Sequence, residues 1–253
     1  MLTVRLDVEK HFAVLERIKD HSEACSDLES FKRATLALSF VWMDGRVHNF
    51  EDHLTCFSHN RALNASAVFE TQKEAQDWLR QPLDDRQTTC VAVTGQHYSV
   101  HYSLEHGDKT LIRVPTQAEL IAPHWSTGSG MDETVAALHR ARQRVTESED
   151  LEIIQVALLA LHYIVESGQA RDFERYLEDF DTPASHPPLR SFETRAEAEA
   201  WVKAHPRPPS GGRVEIGGQR FMVGYDREVN LRVLVRELGL EARGLSEGSD
   251  KDD

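Results

Sequence analysis

A shift of 123 positions lays the second half of this 253-residue chain on the first without a gap. Phe50-Glu51, Leu54 and Phe57 fall on Phe173-Glu174, Leu177 and Phe180. Phe69-Glu70-Thr71, Glu74-Ala75 and Trp78 fall on Phe192-Glu193-Thr194, Glu197-Ala198 and Trp201. Val91, Gly95-Gln96, Val100 and Tyr102 fall on Val214, Gly218-Gln219, Val223 and Tyr225. Over windows 50–57, 68–80 and 91–102 this makes 15 identities in 33 positions, where unrelated sequences would give about two. The chain therefore reads as a tandem duplication. Two units of this length are expected to form packed domains related by a pseudo-twofold, in place of a solenoid.

Each unit reads as α+β. Val4 to Lys19 carries an apolar helical stripe of Leu6, Phe12, Leu15 and Ile18, and Leu28 to Trp42 reads as a more buried helix, matched by Leu151 to Val165. Gly45 and Gly168 are placed to stop these second helices. Phe50, Leu54 and Phe57 define a third helix by their i, i+4, i+7 spacing, repeated in Phe173, Leu177 and Phe180. A short strand, Ala67 to Phe69, then meets Thr71-x-x-Glu74, repeated as Thr194-x-x-Glu197. This is a capping box: the threonine oxygen accepts from the amide three residues on, and the glutamate reaches back. A hairpin turning at Thr94-Gly95 or Gly217-Gly218 and a last strand (Thr110–Val114; Leu231–Arg236) complete the order ααα-βα-βββ. The expected divisions are a first repeat over 1–121, a linker over 122–130, a second repeat over 131–246 and an acidic tail over 247–253.

A hydrophobic fraction of 40% and charged residues at 28% suit a globular chain. The net charge of −13 argues against nucleic acid or an anionic membrane as partner and permits a basic protein. No apolar stretch reaches the length of a membrane span, and the N-terminus has no secretory h-region. Cys25, Cys56 and Cys90 are odd in number, far apart and outside any CxxC. They read as small semi-buried thiols, without a disulfide framework or structural zinc, and point to a cytoplasmic location.

The repeated motif invites a reading of Glu70, Glu74, Glu193 and Glu197 as paired acids, but capping and helical packing account for its residues. Histidines crowd the first half, among them those at 48, 53, 59, 97, 101 and 106. On a strand, His97 and His101 share a face but stand roughly 13 Å apart, too far for one ion. No nucleophile elbow or phosphate-binding loop is present, and the cysteines correspond to Ser148, Asp179 and Arg213. No catalytic residue, metal ligand or cofactor is expected. The one charged feature with shape is Glu174, Glu178, Asp179 and Asp181, on and just after the third helix of the second half. It is the candidate docking surface for a basic partner.

The run Phe-Glu-Thr-x-x-Glu-Ala-x-x-Trp, with its proline-rich connector and hairpin ending at Tyr225-Asp226-Arg227-Glu228, resembles segments of uncharacterised, multi-paralogue myxobacterial-type proteins over about 40 residues of each half. The resemblance implies no activity and carries over no catalytic residue. In size, acidity and lack of catalytic motifs the chain is similar in type to immunity proteins of toxin–immunity pairs. The leading expectation is a non-enzymatic protein-binding module of that kind. An intracellular adaptor or regulator using the cleft between repeats, and an enzyme with one degenerate copy, are the alternatives.

Overall fold

The computed structural model describes residues 5–20, 25–43, 45–59, 65–83, 89–122, 130–179 and 187–236. Most of the expected linker (123–129) and the acidic tail (247–253) lie outside them. The described residues form a mixed α+β structure with two four-stranded sheets.

The first half contains α1 (Val8–Asp20), α2 (Cys25–Trp42), α3 (Val47–His59), β1 (Ala67–Phe69), α4 (Gln72–Leu79), β2 (Cys90–Val93), β3 (Gln96–Tyr102), β4 (Lys109–Arg113) and the short α5 (Gln117–Leu120). The second half contains α6 (Asp132–Arg144), α7 (Ser148–Glu166), α8 (Ala170–Asp179), β5 (Arg190–Phe192), α9 (Arg195–Ala204), β6 (Arg213–Ile216), β7 (Gln219–Asp226) and β8 (Leu231–Arg236). Each sheet runs in sequence order, its first pair parallel across a helix and the rest antiparallel. Ala67 pairs with Val91 and Arg190 with Val214, while Tyr98 pairs with Arg113 and Phe221 with Arg236. Each register of the second sheet is that of the first moved by 123 positions.

Local chemistry fixes the boundaries. Thr71 and Thr194 each close a full capping box with Glu74 and Glu197. Helix α7 ends in a Schellman motif: Gly168 N–H donates to Val165 O, Gln169 N–H donates to Ile164 O, and Gly168 sits at φ +72. The hairpin turns place Thr94 and Gly95, like Gly217 and Gly218, at positive φ, as the right-handed twist of a two-residue hairpin requires.

Helices of both halves share one core. Phe31, Leu38 and Phe40 of α2, Leu138 of α6, and Ile154, Leu158 and Leu161 of α7 belong to a single buried cluster. Full burial of such a side chain contributes about 1.5–3 kcal/mol. Each sheet has a smaller core of its own against its crossing helix, Val91, Val100 and Tyr102 on Ala75, and Val214, Phe221 and Val223 on Ala198.

The cysteine expectation is overturned. Cys56 and Cys90, 34 residues apart in sequence, are joined by a disulfide with a Cα–Cα distance of 5.5 Å. Distance along the chain is a poor guide here, because α3 lies across the face of the sheet that carries Cys90. The argument for a reducing compartment falls with it. No single helix among the described residues is long and apolar enough to cross a membrane.

Candidate functional site

The two sheets differ in what covers their second face. In the first, α3 covers it: Asn49 Nδ2 donates to Tyr102 O (2.8 Å), Tyr102 N–H donates back to Asn49 Oδ1 (3.1 Å), His53 Nδ1 lies 2.9 Å from Ser99 Oγ, and the disulfide pins helix to strand. Ser99, His101 and Ile112 are buried there. Their counterparts Met222, Gly224 and Val235 belong to a stripe that is open to solvent, with Met222 41% and Val235 50% exposed beside Leu231 and Val233.

Helix α8 shows the same contrast. Glu174 and Glu178 are exposed, whereas their counterparts are consumed by packing. Glu51 Oε1 accepts from Leu6 N–H (3.2 Å), and Thr55 Oγ1 donates to Glu51 O (2.8 Å) inside the core. The structure therefore brings Glu174 and Glu178 onto one open face. The side chain of Asp179 and all of Asp181 lie outside the described residues.

The histidines of the first half make a closed cluster with α7. The rings of His53 and His162 stack at 6.1 Å, Arg113 Nη2 lies 3.2 Å from His162 Nε2, and the Tyr163 hydroxyl lies 2.7 Å from His101 Nδ1. Burial is the main cause holding all three imidazoles neutral, assisted by nearby cationic groups: His101 falls to about 4, His162 to about 3, and His53 well below its usual range. Burial also pushes the Tyr163 phenol up. His97 remains on β3, four residues along the strand from His101. Among the described residues no group of three or more histidine, cysteine or acidic side chains is placed to hold a metal ion.

Between the halves run contacts that come in pairs. Arg17 bonds Asp150, and Arg140 bonds Asp27. Phe50 meets Tyr163 at 5.5 Å, and Phe173 meets Phe40 at 5.4 Å. His53 meets Tyr163 at 5.3 Å, and Tyr176 meets Phe40 at 5.5 Å. In each pair the second contact is the first with the two halves exchanged. Asp52, whose counterpart is Arg175, adds a further clamp from α3: it binds both Arg207 and Arg227 of the second half, and Arg207 also lies over the Tyr102 ring at 4.3 Å.

At one end of this seam, where α1, α2, α6 and α7 converge, is a cavity of about 570 Å³, within the size range of small-molecule sites. Sequence reasoning missed these ion pairs and the cavity. The signal lay at the 123-position offset, where Arg17/Arg140 and Asp27/Asp150 are identical outside the windows of high identity.

No protein-family model matches the chain, and neither a curated protein nor a solved structure does.

Proposed function

We propose that the chain is a duplicated unit whose two copies pack about a pseudo-twofold axis, and that it is a non-enzymatic protein-binding module of the immunity type, neutralising a basic cognate toxin by direct binding. The exchanged contacts across the seam support the first part, because a twofold interface pairs residue i with j and j with i. One observation carries the second: the second half leaves open to solvent two surfaces whose counterparts in the first half, Glu51 and Thr55 on α3 and Ser99 and Ile112 on the sheet, are buried. An apolar stripe on a sheet and an acidic helix face are the materials of a partner interface, one supplying burial and the other charge complementarity. The mechanism is steric occlusion, and it needs no cofactor.

The test is co-expression with the basic product of the adjacent gene. Rescue of growth by the native chain, lost in Glu174→Lys/Glu178→Lys and in Val233→Lys/Val235→Lys, supports the reading. Absence of rescue by the native chain overturns the immunity version.

A second reading, a regulator that takes a small ligand in the seam between the copies, is favoured by the 570 Å³ cavity there.

A further inference from the structure

The seam cavity has a composition that specifies its occupant. It takes in both members of two counterpart pairs, Ile18 with Ala141 and Asp27 with Asp150, so it lies on the proposed twofold axis. The pairs are unequal where space matters. Alanine stands at 141 where the first half has isoleucine, three carbons fewer on a buried wall. The floor is apolar, with Ile18, Phe31 and Ala141 all buried.

The charges divide into those already engaged and those left over. Asp27 is bonded to Arg140 and Asp150 to Arg17, so neither buried carboxylate is available to a ligand. Glu149 is paired with Lys10 at 2.9 Å. That leaves Arg144 and Glu147 on the rim, both exposed and three positions apart, with no side-chain partner among the described residues. One cation and one anion thus stand over an apolar floor.

We infer that the cavity binds a small zwitterion with an apolar body, its carboxylate at Arg144, its ammonium at Glu147 and its body on Ile18, Phe31 and Ala141. An apolar α-amino acid is the simplest member of this class. The inference rests on the second reading above, that the seam takes a ligand.

Calorimetric titration of the full chain with phenylalanine, 3-phenylpropionate and phenethylamine tests it. Phenylalanine is expected to bind saturably and at least about tenfold more tightly than either singly charged analogue, a difference of about 1.4 kcal/mol. Ala141→Ile fills the space without touching a charge and should abolish binding. Arg144→Glu, on the exposed rim, keeps the fold and should lower phenylalanine affinity about tenfold or more. An analogue that binds as well as phenylalanine, yet is expelled by Ala141→Ile, overturns the zwitterion while leaving the seam reading standing. Failure of all three probes to bind overturns both, as does binding indifferent to both substitutions.

Discussion

Arg46 donates from Nε to Oε1 of Gln169 at 2.9 Å, and Gln169 is the counterpart of Arg46 itself. A side chain that meets its own counterpart lies where a twofold axis would pass. The exchanged ion pairs, Arg17 with Asp150 and Arg140 with Asp27, flank the same seam.

Those two ion pairs predict matched losses. Asp27 and Asp150 are nearly buried, and each holds an arginine of the other half. Asp27→Asn and Asp150→Asn are each expected to lower stability by about 1–3 kcal/mol in urea unfolding. Lys10→Ala, which removes an exposed ion pair with Glu149, should leave the midpoint unchanged within error. A large loss in one aspartate variant and none in the other would break the equivalence.

Asp52 should be the costlier carboxylate. It is 1% exposed and bonded to Arg207 and Arg227, themselves almost buried. Asp52→Ala removes the buried carboxylate that both guanidiniums bond and is expected to cost about 3–5 kcal/mol. Denaturation monitored by tryptophan fluorescence reads this loss.

The buried histidines predict acid sensitivity. His53, His101 and His162 are held below their usual range in the folded protein, so the unfolded chain binds protons first as pH falls. Their stabilising effect is intact above about pH 6.5 and is lost as pH drops towards 4 and 3, by up to about 1.4 kcal/mol per histidine per unit. Unfolding free energies at pH 7.5 and 5.5, where most carboxylates remain ionised, isolate the effect. His162→Gln should flatten the slope; an unchanged slope would exclude His162 from it.

The disulfide predicts that Cys56 and Cys90 resist alkylation in the unreduced, denatured chain and react after reduction, as read by mass spectrometry. Closing a loop of this length stabilises by about 3–4 kcal/mol through the unfolded state, so Cys56→Ser/Cys90→Ser should lose that order of stability. Three alkylated thiols without prior reduction would contradict the bond.

The two sheets predict opposite responses to one substitution. Ile112→Lys places a charge under α3 and should prevent stable folding. Val235→Lys, at the counterpart on the open face, should shift stability by no more than about 0.5 kcal/mol. Thermal unfolding of the two variants decides it.

The local devices were legible in sequence because each depends on residues a few positions apart. The Thr71–Glu74 box, the turn at Thr94-Gly95 and the stop at Gly168 follow from backbone geometry alone, and the repeat offset gave the order of elements twice over. Helix α1 starts at Val8, later than the Val4 expected, with Leu6 packing into the core from the segment before it. The exposure of Glu174 was only half legible. Its i, i+4 relation with Glu178 shows a common face, but Glu51 has the same local setting and is buried.

The sequence by itself determined the α+β elements, their order, their repetition and the caps and turns that bound them, because hydrophobic periodicity and backbone chemistry are short-range. Only the tertiary structure decided that the helices of both halves share one core, that Cys56 meets Cys90, that Arg17 reaches Asp150, and that one sheet is covered while its counterpart is open. Those outcomes depend on which surfaces approach one another across stretches of chain from 34 residues (Cys56 to Cys90) to 133 (Arg17 to Asp150), and two halves with the same order of elements pack differently once Ser99 faces a helix and Met222 faces water.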